Sequence, residues 1–174
     1  MSRKSLLVID MLYDFMDPAG ALYAGYEARK IIPRVKKLLE SHRREGSLIV
    51  FAVDHHDPED KEFEIFPRHC VAGTPGAEII PELEVRLEDK LVHKTRYSAF
   101  YGTDLEDILA GEDIDEVHLC GVCTSICVMD TASDLRNRDY PTIVHKSAVA
   151  DFDPQAHDFA LKRMKDILRV RLED

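Results

Sequence analysis

Three of the chain's four cysteines fall within eight residues, Cys120-Gly-Val-Cys-Thr-Ser-Ile-Cys127, and the fourth is Cys70. Such a cluster could supply metal ligands, a redox pair, a disulfide, core packing or the setting of one nucleophile. Cys120 and Cys123 have the C-x-x-C redox spacing, but a redox pair sits at the amino end of a helix, whereas Cys120 is expected inside a strand as a core thiol. A structural zinc site takes four ligands, usually from paired motifs, and the sequence has no second C-x-x-C. Cys127 differs. It is expected in the first turn of a helix that follows a sharp strand-to-helix turn. Free N–H groups and the helix dipole there favour a thiolate, and the same N–H groups could hold an oxyanion. Burial as a small apolar residue is the competing reading.

A nucleophile needs a base. Asp10 closes the apolar run "SLLVID" and Lys94 closes "KLVHK". Taken singly, Asp10 reads as a cap or turn residue and Lys94 as a surface lysine. With Cys127 they make an acid–base–nucleophile set with a counter-cation. His145 could instead pair with the thiol, but it lies in an expected strand, where packing is the simpler role. A second constellation lies in "AVDHHDPEDKEFEIFPRHC". Asp54 and His56 are two apart in an extended segment and share a side, while His55 points the other way. With His69 they offer two imidazoles and a carboxylate, a set suited to a divalent transition metal with positions left open. The intervening carboxylates Asp57, Glu59, Asp60, Glu62 and Glu64 also read as an ordinary solvated loop.

The elements that must position these groups alternate. Apolar runs at 5–10, 47–54, 90–94, 115–122 and 141–146 read as buried strands, and 27–46, 103–111, 124–138 and 153–168 read as helices. The tail "RVRLED" fits a short sixth strand or a frayed helix. This alternation predicts a single α/β domain over 1–174, a three-layer, doubly wound and mainly parallel sheet. Ligands in such sheets sit outside the carboxyl ends of the strands. Asp10, Asp54, Lys94 and the 122–127 turn all fall there. So does the irregular stretch 54–76, whose length marks it as functional.

With 174 residues, 45% hydrophobic, the chain is long enough to bury a real core. A net charge of -10 argues against nucleic acid and anionic membranes as partners. No apolar run approaches a membrane span, and Asp10 interrupts the amino-terminal run in a way a signal peptide would not. A cytoplasmic protein with reduced thiols is expected.

As a set, "LLVIDMLYDF", "VDHHD", "FPRHCVAGTPGAEI", "KTRYSAFYGTDL" and "GVCTSICVMDTASDL" resemble the isochorismatase-like cysteine hydrolases, and within them the nicotinamidases, over nearly the whole chain. The resemblance implies a catalytic triad of Asp10, Lys94 and Cys127. It also implies a cis peptide between Val122 and Cys123, with an oxyanion hole from the N–H groups of Cys123 and Cys127. Asp54, His56 and His69 become metal ligands, and Glu62 occupies the offset of a further one, in a loop shorter than that of the relatives that use it. Phe15 and Tyr97 match the aromatic positions flanking a pyridine ring. The implied reaction converts nicotinamide and water to nicotinate and ammonia through a thioester, a step of NAD salvage, with one divalent metal as a template. Zinc comes first, with manganese and iron as alternatives. A related amidase acting on another small amide or carbamoyl compound is the second reading. Family members often form homo-oligomers. The tail after "DIL" departs from the family pattern, leaving the sheet's far edge open.

Overall fold

A computed structural model describes residues 3–174. Its centre is a six-stranded sheet of β1 (Lys4–Ile9), β2 (Leu48–Asp54), β3 (Lys90–Lys94), β4 (Glu116–Val122), β5 (Thr142–Ala150) and β6 (Arg171–Glu173). The strand order is β3-β2-β1-β4-β5-β6, and every neighbouring pair is parallel. The central strands read as unbroken apolar runs because both faces are covered. Leu6 and Val8 pack under α1 (Tyr13–Met16), α2 (Tyr26–Lys30) and α3 (Ile32–Arg44), with Val35 and Leu39 of α3 as counterparts. Leu7 and Ile9 face α4 (Leu105–Gly111), α5 (Met129–Asn137) and α6 (Pro154–Asp166), meeting Leu105, Leu135 and Met164. The expected three-layer, doubly wound sheet is present, and it is parallel throughout.

Three local expectations change, and one left open is settled. The segment expected as one helix over 27–46 is two helices parted at Ile31; Pro33, in the first turn of α3, restarts the helix because its ring disfavours a continuous one. The helix expected over 124–138 opens with a π-helical turn, Thr124–Val128, so Cys127 lies within that turn and not in the first turn of an α-helix. β5 runs on to Ala150, past a register shift opposite Leu119 and Gly121. The tail does form a strand, since Arg171 and Leu172 pair in parallel with Ile143 and Val144.

Gly121 is held by contact and not by flexibility. At φ 114° a side chain is disfavoured, and a Cβ there would lie 2.0 Å from the Ile9 carbonyl oxygen. Its absence lets β4 approach β1 just before the Cys123 turn.

Candidate active site

In the order 3-2-1-4-5-6 the chain reverses direction of build between β1 and β4, and a crevice opens beyond their carboxyl ends. Asp10 follows β1, Asp54 and Lys94 end β2 and β3, and the turn carrying Cys123 and Cys127 follows β4. Four strands thus deliver four reactive groups to one rim. The Val122–Cys123 peptide is cis.

Lys94 is the hub. It is fully buried, with Nζ 2.8 Å from Asp10 Oδ2, 2.5 Å from Asp54 Oδ1 and 3.4 Å from Cys127 Sγ. Burial opposes the Lys94 ammonium, yet the Asp10 and Asp54 carboxylates raise its pKa well above the ordinary value. Asp10 stands in a left-handed conformation, φ 50°. Its Oδ1 accepts the Asp54 N–H at 2.8 Å. Oδ2 is close to Lys94 but off the hydrogen-bonding direction, so this oxygen has spare acceptor capacity. Burial, then the Asp54 charge, push the Asp10 carboxyl up to about 6, with Lys94 pulling the other way.

The sequence-based picture of Cys127 as a stabilised thiolate does not hold for the resting site. Burial pushes the thiol well above its ordinary range, only partly opposed by Lys94. The π-turn runs straight into α5 and keeps the aligned peptides of the helix's amino end, but burial outweighs them. A neutral thiol therefore waits beside a carboxylate with base-like affinity for a proton.

Next to this trio, one ligand atom each from Asp54, His56, Glu62 and His69 lie within 4.8 Å of one another, all four residues buried. The donor set fits a divalent metal on its own evidence. His56 Nδ1 faces Asp60 Oδ2 at 3.1 Å and His69 Nδ1 faces the Pro67 carbonyl at 2.7 Å. Both partners are acceptors, so both Nδ1 atoms carry the proton and both Nε2 atoms turn lone pairs inward. Those Nε2 atoms lie 3.6 Å and 3.8 Å from Asp54 Oδ2, and each is 3.9 Å from Glu62 Oε1. His56 Nε2 and Glu62 Oε2 are buried without a hydrogen-bond partner. Burial and the Asp54 charge also raise the Glu62 carboxyl above its usual range, a repulsion that a cation would relieve. His55 turns away and stacks on His93.

Phe15 and Tyr97 border the adjoining pocket together with Cys123, Cys127, Asp54, Glu62 and His69. Leu22, Phe66, Ile126 and Phe152 complete it, none of them singled out by the sequence. Single apolar residues in separate loops carry no periodic or motif signal. Asp60 and Asp14 were also missed as positioning groups. Asp60 is held by Arg96 at 2.9 Å and in turn holds His56. Asp14 Oδ2 accepts the Cys70 N–H at 2.7 Å and so ties down the loop that bears His69. His145 lies far along β5 from the thiol, against His118, and is no partner of Cys127.

A family model for the isochorismatase domain matches residues 4–171. Among solved structures, nicotinamidase PncA from Bacillus subtilis superposes with a TM-score of 0.93 at 37% identity, covering 99% of each chain. A pyrazinamidase of Pyrococcus horikoshii, solved in complex with zinc, superposes with a TM-score of 0.92 at 34% identity, covering 98% of each. A curated relative from Arabidopsis thaliana, named a probable inactive nicotinamidase, is 34% identical over 95% of this chain and 89% of its own.

Proposed function

This chain belongs to the isochorismatase domain family, and on that premise we propose that it hydrolyses nicotinamide to nicotinate and ammonia through a thioester on Cys127. The observation that carries the reading is the buried Lys94 ammonium, which is within 3.4 Å of Cys127 Sγ and 2.8 Å of Asp10 Oδ2 beside a four-ligand metal cluster.

Asp10 Oδ2, the oxygen with spare acceptor capacity, takes the Cys127 proton as sulfur attacks the carboxamide carbon. Lys94 keeps Asp10 and the sulfur in register and balances the charge that forms. The N–H groups of Cys123 and Cys127 receive the oxyanion. Asp10 then gives its proton to the departing nitrogen, ammonia leaves and a thioester remains. Asp10, again a carboxylate, draws a proton from water, whose oxygen attacks the thioester. Collapse of that adduct expels the sulfur, which recovers its proton from Asp10, and nicotinate departs.

Asp54, His56, His69 and Glu62 would hold the divalent ion, and zinc is the ion we assign, in keeping with the zinc complex of the Pyrococcus relative. When bound, that ion supplies a Lewis-acidic position to which a ring nitrogen can bind, orienting the substrate.

The substrate class is supported by the pocket's lining. Phe15, Leu22, Phe66, Tyr97, Ile126 and Phe152 are apolar or aromatic, which suits a flat ring. No arginine or lysine is among the described residues that line the pocket, so no side chain there pairs with a carboxylate on the substrate. All four cysteines are free, in keeping with a reducing cytoplasmic setting. Assembly of like copies, which the family resemblance implies, is checked by light scattering.

The test is ammonia release from nicotinamide and from a panel of small neutral, anionic and carbamoyl amides, by the wild type and Cys127→Ala. The reading predicts nicotinamide turnover that vanishes in the variant, with a nicotinoyl adduct of Cys127 trapped in the wild type by acid quench. Turnover by Cys127→Ala at the wild-type rate defeats the mechanism, and preference for a different amide defeats the substrate.

A further inference from the structure

We propose that His42, His118 and His145 form a second transition-metal site, unconnected with the amide chemistry, that takes a single zinc-class divalent ion. The three residues come from the last turn of α3, from β4 and from β5, and their exposures are only 4%, 4% and 5%. One ring nitrogen from each lies within 4.8 Å of the others. His118 is the third residue of β4 and Val122 the last, so the cluster lies about 13 Å down the strand from the catalytic turn at ~3.3 Å per residue.

The ring nitrogens are arranged as ligands are. His118 Nε2 lies 3.0 Å from Glu116 Oε1, the carboxylate–histidine pairing that orients a metal-binding imidazole and raises its basicity. Glu116 takes the Nε2 proton, which leaves the His118 Nδ1 lone pair pointing at His145 Nε2, 2.9 Å away. His145 Nε2 must then carry the proton of that bond, and His145 Nδ1 is left buried with no partner. His42 is oriented independently, with Nδ1 3.0 Å from Ser47 Oγ.

As plain core, this arrangement is poor. Three imidazoles stand where α3 packs on the sheet, edge-on or stacked at centroid separations of 4.6 Å, 5.1 Å and 6.2 Å, and one ring nitrogen forfeits its hydrogen bond. Apolar side chains would fill the same space without that cost. A cation would give the paired nitrogens a use, while His145 Nδ1 stays without a partner in either tautomer. The His145 proton moves to Nδ1, and both nitrogens of the 2.9 Å contact become lone-pair donors. Two ligands at 2.0–2.1 Å in tetrahedral geometry stand about 3.3 Å apart, so the rings need part by only a few tenths of an ångström. Imidazole ligands without thiolate or a full carboxylate set select zinc, nickel, cobalt and copper over magnesium or calcium. Ser47, which steadies His42, also lines an open cleft with Lys4, Arg43 and Glu45. An ion bound there would tie α3 to β4 and β5, stabilising the folded state by mass action.

The experiment is equilibrium dialysis of tag-free, chelator-stripped full-length protein against micromolar zinc, with metal per chain read by elemental analysis. Wild type should hold two equivalents, while His145→Gln and, separately, His42→Gln should hold one and keep full amide hydrolysis. His56→Ala should also hold one, with hydrolysis lost, which separates the two sites. A melting temperature taken with and without zinc should show the His42→Gln and His145→Gln proteins folded and the His56→Ala protein still stabilised by the ion. The proposal is overturned if wild type holds no more than one equivalent, or if both His42→Gln and His145→Gln retain the wild-type ratio.

Discussion

Asp60 Oδ2 lies 3.1 Å from His56 Nδ1 and sets which face of that imidazole is free. By accepting the Nδ1 proton it leaves Nε2 as a lone pair toward Asp54, Glu62 and His69. Removal of such a partner typically lowers metal affinity by about 10–100-fold. Asp60→Ala should therefore weaken zinc binding at the Asp54 cluster by that factor, and competition with a chromophoric chelator reads it. Affinity equal to wild type would show that His56 is oriented by something else.

Cys127→Ala removes only sulfur from a buried position and should fold. Hydrolysis of nicotinamide should fall by at least ~10³-fold, because residues acting as one catalytic unit fail together. Lys94→Met and Asp10→Asn should each cost nearly as much, and the double variants little more. Steady-state kinetics on the single and double variants checks this, and additive losses would argue against a shared unit.

Lys94 is buried between two carboxylates. Lys94→Met leaves Asp10 and Asp54 uncompensated, a loss that in buried ion pairs costs about 3–5 kcal/mol. Urea denaturation of the metal-stripped protein should show this, with Asp10→Asn in the same background recovering part of it. A variant as stable as wild type would mean the charges are neutralised some other way.

Gly121→Ala should destabilise the fold by at least ~1 kcal/mol, since alanine at positive φ is strained. Its Cβ would also meet the Ile9 carbonyl oxygen at 2.0 Å. Thermal melting reads the stability, and activity should fall as β4 is pushed from β1 ahead of Cys123. An unchanged melting temperature would refute the close contact.

In chelator-stripped protein, stability should depend on the His42–His118–His145 cluster between about pH 4 and 6.5. Burial, then the neighbouring imidazoles, depress His42 and His145 to about 4. The unfolded chain, with ordinary histidines near 6.5, then binds more protons than the folded one in that window. The cluster's contribution to stability therefore rises with pH from about 4 and levels off above about 6.5, against the opposite slope of Asp10, whose carboxyl is lifted to about 6. His42→Gln should flatten the slope in urea titrations across this range, and a slope identical to wild type would count against the assignment.

Much of the site was legible because its chemistry sits where strands end. The apolar runs stopping at Asp10, Asp54 and Lys94 marked one rim, and the D-x-H spacing put Asp54 and His56 on one side. The long loop marked itself by its length and its His69. What could not be read from residue types is whatever depends on strand order and mutual burial. Nothing local to "VHKT" says that Lys94 is enclosed by Asp10 and Asp54, or that burial, against the pull of Lys94, leaves Cys127 a neutral thiol and lifts Asp10 to about 6. The π-turn that opens the helix after β4 likewise carries no signal in its residue types. His42, His118 and His145 look unrelated in sequence and meet only because α3 crosses β4 and β5. Sequence alone determined which residues could do chemistry and that parallel strands would carry them to one edge, since side-chain type and apolar periodicity are local properties. Tertiary structure decided proton affinities and partnerships, since these follow from distances and desolvation among residues far apart in the chain.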